Sequence, residues 1–171
     1  NLVAKHFYMK ADNQFVAGGS NHAILRNLVN YMRKNADVDA IIVTWSHWNR
    51  SEVHHGEIVY QMQPNGNSFP GKFIEQWYKD MNTDVQFQDW VDKTWIVDKL
   101  LKNQIPHFQW CAFPEERKRT RNFDPENWLP TSILEVVDGV GNTPCGHPTK
   151  KGHKIIAERV IEHLQKKQIL L

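Results

Sequence analysis

The chain has 171 residues, 40% of them hydrophobic and 23% charged, with a formal charge of +2. That length and balance describe one globular domain with a real core, and give no reason to expect nucleic acid or membrane as a partner. Two cysteines, Cys111 and Cys145, exclude a disulfide framework, and no apolar run approaches the ~20 residues of a membrane helix.

Residues Asn1 to Asn13 have weak patterning; Leu2, Val3, Phe7 and Tyr8 suit a short strand or edge segment. A first strand is expected at Gln14 to Ala17, turning through Gly18-Gly19-Ser20-Asn21. Ser20 or Asn21 can cap the helix that follows from His22 to about Asn35. Ile24, Leu28, Tyr31 and Met32 give that helix one apolar face. Val38 to Val43 is an unbroken apolar run, which suits a strand buried on both faces in a parallel sheet. Strand, helix and strand then form a right-handed crossover.

The run opens abruptly into a polar stretch: Thr44, Trp45, Ser46, His47, Trp48, Asn49, Arg50, Ser51 and Glu52. The C-terminal end of a buried strand is where α/β proteins place ligands. Glu57 to Gln63 alternates and suits a hairpin strand, and Pro64 to Asn67 a turn. Helices are expected over Lys72 to Met81 and Thr83 to Asn103, the second with Phe87, Trp90, Val91, Val97 and Leu101 on its apolar face. His107 to Phe113 reads as a core strand. Pro114 to Pro130 is irregular, and its charge run Glu115 to Arg121 reads as a solvated face. Thr131 to Val137 reads as a short strand or a turn of helix. A glycine-rich loop, Gly139 to Gly146, leads to a final helix from Thr149 to Lys167, lined by Ile156, Val160 and Leu164. The alternation of strands and helices predicts a three-layer α/β/α sandwich with a mainly parallel sheet.

Several residues carry possible chemistry. His147 sits between Cys145-Gly146 and a Pro-initiated helix, so the loop fixes its direction. Arg50 and Glu52 suit an ion pair shaping a cleft. Trp45 and Trp48 suit either stacking on a sugar ring or packing under the loop. His47, His54 and His55 lie close in sequence, but no His-x-x-x-His, Cys-x-x-Cys or carboxylate cluster accompanies them, so neither metal nor cofactor is expected.

The segment Gly146-His147-Pro148-Thr149-Lys150-Lys151-Gly152-His153 resembles the C-terminal block of SGNH/GDSL-type hydrolases, where a catalytic His precedes Pro and a helix. Asp37 to Asn49 resembles that family's buried strand ending near an oxyanion-hole Asn. Gly18-Gly19-Ser20-Asn21 is similar to either of two earlier blocks. The order of these motifs is the better part of the likeness, which is closest in tone to SGNH-like proteins of tailed phages. The resemblance implies one SGNH domain of flavodoxin-like type over 1–171, lacking in one register the segment with the first strand.

It also implies an ester hydrolase acting on acyl or acetyl groups of a small molecule or carbohydrate. His147 is then the base, with Asn49 and Gly19 as oxyanion donors. Asn21, Trp45, Ser46, Trp48 and Arg50 contact substrate. Two registers stay open. In one, Ser20 is the nucleophile. In the other, Gly19 belongs to the oxyanion block, Ser20 and Asn21 are turn and cap residues, and the nucleophile precedes Asn1. The family's Asp three residues before the His is Pro144 here, although Asp138 lies in the same loop. That departure opens the alternative of an inactive SGNH-like domain, a structural or glycan-binding module, homo-oligomeric or assembled in a virion. A metal-dependent hydrolase using the histidines is the third reading.

Overall fold

The computed structural model describes residues 2–14, 19–35, 37–56, 58–62, 71–114, 127–139, 143 and 147–167, with 55 and 71–74 by backbone alone. The elements in order are α1 (Leu2–His6), α2 (Asn21–Lys34), β1 (Ile41–Trp45), β2 (Ser51–His55), β3 (Ile58–Met62), α3 (Gly71–Asp80), α4 (Thr83–Leu101), β4 (His107–Cys111), α5 (Ile133–Val137) and α6 (Lys150–Lys166). The fold mixes helix and strand and contains a small two-stranded parallel sheet. The chain divides into two compact units, residues 1–13, 39–44 and 103–171 in the first, 14–38 and 45–102 in the second.

In unit 1, β1 pairs with β4, and the Ile41 N–H donates to the Pro106 carbonyl at 3.0 Å. All five residues of β4 are buried. Gln109 also forms a parallel bridge to Trp128. Phe108, Trp110, Leu129, Val160 and Leu164 make the core, each burial contributing roughly 1.5–3 kcal/mol. Val3 and Phe7 pack on that core. They stand one helical turn apart, and the Phe7 N–H donates to the Val3 carbonyl at 3.3 Å. The stretch expected as an edge strand is therefore helix α1, because an i, i+4 apolar pair meets a core only from a helix. Ser132 and Glu135 close a capping box at α5, settling the expected strand or helix over 131–137 as helix. Thr149 caps α6, its hydroxyl accepting from the Gly152 N–H at 3.2 Å.

The strand expected over 38–43 begins later and runs to Trp45. It is not covered on both faces: Ile41, Val43 and Trp45 are buried, while Ile42 and Thr44 are exposed.

In unit 2, β2 and β3 form an antiparallel hairpin pairing Ser51 with Met62 and Glu52 with Gln61. Gly56, at φ 60°, takes the left-handed conformation a tight hairpin turn needs. β3 follows from the alternation over 57–63, whereas β2 begins within the polar stretch and carries no strand pattern. β2 buries Ser51 and the Glu52 side chain, so no apolar alternation marks it. Helix α4 buries Trp90, Thr94, Val97 and Leu101, with Lys93 beside them in an ion pair with Asp89. Asn82 caps α4 through bonds from the Asp84 and Val85 N–H groups. Helix α2 packs on α4 and β2.

Of the strand expected at 14–17 only Gln14 is described, and it is exposed and outside any strand; the rest of that stretch, the turn 64–67, the charge run 115–121 and most of the loop 139–146 lie outside the described residues.

Candidate functional site

The residues with most chemistry gather in unit 2, where the first turn of α2 meets the loop after β1. Ser20 is the N-cap of α2 and has no exposed surface. Its hydroxyl accepts from the Ala23 N–H at 3.1 Å and donates to Glu52 Oε2 at 3.1 Å. Its own N–H donates to Gln61 Oε1 at 2.7 Å. Gly19, immediately before it, is buried.

Asn21 is also buried, and its carboxamide reads the next loop. Oδ1 accepts from the Ser46 N–H at 3.0 Å. Nδ2 donates to the carbonyls of Ser46 and His47, at 3.4 and 3.1 Å. The loop closes on itself, with the Arg50 N–H donating to the His47 carbonyl at 3.0 Å. From α3, the Tyr78 hydroxyl donates to the Asn49 carbonyl at 3.2 Å. Burial raises the Tyr78 phenol to about 12, against the opposing charge of Arg50. So 46–50 is held at both ends by side chains from two helices. Within it, Ser46 Oγ and Asn49 Oδ1 are buried and have no hydrogen-bond partner among the described residues.

The aromatic residues divide. Trp45 is fully buried and belongs to the packing. Trp48 is partly buried, tilted on His47 at 5.4 Å and edge-on to Phe87 at 6.3 Å. Arg50 is partly buried.

Glu52 is the node of the cluster, its side chain 5% exposed. Arg26 grips it with both guanidinium nitrogens. His54 Nε2 lies 3.2 Å from Oε1, and Gln61 Nε2 donates to Oε2 at 3.3 Å. Burial pushes the carboxyl up; the hydrogen bonds from Arg26, His54 and Gln61 and the Arg26 charge outweigh it, leaving it at about 2. The cleft-shaping pair expected between Arg50 and Glu52 thus has its guanidinium from Arg26, a turn and a half into α2. Arg26, Gln61 and Tyr78 were missed in the sequence. Gln61 faces Glu52 across the hairpin, a pairing that the sequence does not show because β2 carries no strand pattern.

His147 belongs to unit 1 and is exposed. Thr143 pins its backbone: the Thr143 N–H and hydroxyl donate to the His147 carbonyl at 2.8 and 3.0 Å, and the His147 N–H donates back to the hydroxyl at 3.2 Å. Asp138 is the exposed C-cap residue of α5. Pro144 and Cys145 lie outside the described residues.

Among the described residues, no group of three or more His, Cys, Asp or Glu is placed to hold a metal ion. No described helix is long and apolar enough to cross a membrane. No protein-family model, no curated protein and no solved structure matches this chain.

Proposed function

We propose that this chain is an SGNH-like domain whose loop Ser46–Arg50 binds a polar ligand of the carbohydrate class, without ester cleavage by Ser20. The observation that carries this reading is the commitment of Ser20. A serine nucleophile must reach a carbonyl carbon and pass its proton to a base. The Ser20 hydroxyl is fully buried and spent on capping α2 and on Glu52. Glu52 is a poor proton acceptor, because Arg26 holds it ionised down to about 2. The loop itself supports a binding role. A buried polar atom without a partner costs about 1–3 kcal/mol, and Ser46 Oγ and Asn49 Oδ1 are two on one turn. An ordered water would satisfy both and hold the turn, while Trp48, partly exposed on the same turn, offers a sugar ring its stacking surface. The parallel pairing of β1 and β4 supports a three-layer SGNH sandwich as the fold of this reading.

The rival reading, an SGNH-type ester hydrolase, is favoured by the Asn21 carboxamide, which sets the Gly19–Asn21 turn against the turn bearing Asn49. A fluorophosphonate probe and an aryl acetate separate the two. The binding reading predicts no labelled serine and no turnover. Labelling of Ser20, with hydrolysis lost in Ser20→Ala and His147→Ala, overturns it. An oligosaccharide array tests the ligand class: binding lost in Trp48→Ala and Asn49→Ala is expected, and an array without any binding rejects carbohydrate.

A further inference from the structure

Helix α6 carries His163 at a position where its neighbours in the fold are apolar. The residue is buried, 8% exposed, between Val160 and Leu164 of the core. Its ring meets Phe108 of β4 edge-on, with centroids 5.0 Å apart. Nε2 is buried and has no hydrogen-bond partner among the described residues. An apolar side chain would satisfy this packing. An imidazole adds a charge that appears just below neutral pH.

We propose that His163 is an acid-sensitive latch for the C-terminal helix. Neutral, its ring packs as an aromatic between α6 and β4. Protonated, it places an unpaired cation in the core, and α6 must loosen for water to reach it. Among the described residues, the surrounding charges offer no relief. On α6 itself, Lys167, Lys166 and Arg159 all oppose protonation. The α6 carboxylates Glu158 and Glu162 pair with Lys154 and Arg159 at exposed positions. Helix α1, packed on α6, brings Lys5 and His6, the latter in contact with Gln165. Helix α5 brings Glu135, engaged in its own capping box. Strand β4 brings Phe108 and, before it, His107, whose Nδ1 lies 3.0 Å from the Ile105 carbonyl. Burial first, then the three cations, lower the His163 pKa below its ordinary 6.5.

The folded state therefore binds fewer protons than the unfolded chain. This contribution to stability is complete above the unfolded value near 6.5 and is lost as pH falls through it toward the folded value. The latch lies in unit 1 and does not depend on the reading of the Ser46–Arg50 loop.

The test compares thermal unfolding of the full chain at about pH 7.5 and about pH 5 for wild type, His163→Phe and His163→Leu. His22 is also held below 6.5, by burial and then by Lys93, so some acid sensitivity remains in both variants. The wild type should lose several degrees more in Tm than either variant. NMR titration of the histidine rings in the wild type is the second measurement, independent of how the variants fold. The His163 signal should titrate below pH 6.5, with the α6 amides losing hydrogen-exchange protection in step. A His163 midpoint at or above 6.5 in the folded protein overturns the proposal. So does a pH dependence in both variants equal to that of the wild type.

Discussion

The Asn21 carboxamide is joined to the Ser46 backbone as one peptide group is joined to another. Oδ1 accepts from the Ser46 N–H and Nδ2 donates to the Ser46 carbonyl, with a further bond to His47. A side chain on the first turn of a helix thereby supplies what a neighbouring strand would otherwise give the Ser46 backbone. Loop 46–50 consequently has a defined course without regular structure of its own.

Asn21→Ala should remove those three bonds and leave the Ser46 N–H without its acceptor. The expected cost is about 1–3 kcal/mol, or roughly 2–4 °C in Tm per kcal/mol for a chain of this size. Thermal unfolding measures the cost. Faster amide exchange at Ser46, with the rest of α2 unchanged, locates it.

Ser20→Ala should cost about 1 kcal/mol as loss of an N-cap, read as a lowered urea midpoint at constant slope. The binding reading further expects any oligosaccharide affinity to survive this substitution, since the hydroxyl faces Glu52 and the helix.

Glu52 makes stability depend on acid. Its folded value, about 2, lies below the ordinary 4.5. The stabilisation is therefore full above 4.5 and fades as pH falls from there toward 2. Arg26 is partly solvated, which weakens the pair. A contribution of about 1–3 kcal/mol remains. Glu52→Gln should remove it and flatten the stability curve in that pH range, as followed by denaturant unfolding.

Tyr78→Phe should release the Asn49 carbonyl at a cost of about 0.5–1.5 kcal/mol. The phenol is raised to about 12, so the wild type should show a late phase in a spectrophotometric tyrosine titration. That phase should be missing from the variant.

What could be read in the sequence depended on whether burial was apolar. Helices α2, α4 and α6 and strand β4 bury apolar side chains, Leu28, Trp90, Val97, Leu101, Phe108, Trp110, Val160 and Leu164 among them, and their positions follow from that pattern. Strand β2 does not: Ser51 and Glu52 are buried against Gln86 and Arg26, far away in sequence, and against Gln61 on the next strand. The same holds at the candidate site. Ser20, Asn21 and Asn49 stood out by type and by their turns. Arg26 and Tyr78, which give those turns their shape, sit on helices where nothing distinguishes them from solvated residues. Helix α1 is not legible because five residues are too few for a period, and contact of Val3 and Phe7 with the core decides it.

The order of the chain bears on how the protein is made. Strands β1 and β4 are partners, yet everything from 46 to 106 is synthesised between them, and most of that stretch belongs to the other unit. A parallel pair of such separation closes a long loop before it gains any contact. On the ribosome, the hairpin and α4 emerge while β1 still waits for its mate. Completion of the sheet is thus a late step, and β1, with Ile42 outward, is the segment most open to mispairing until then.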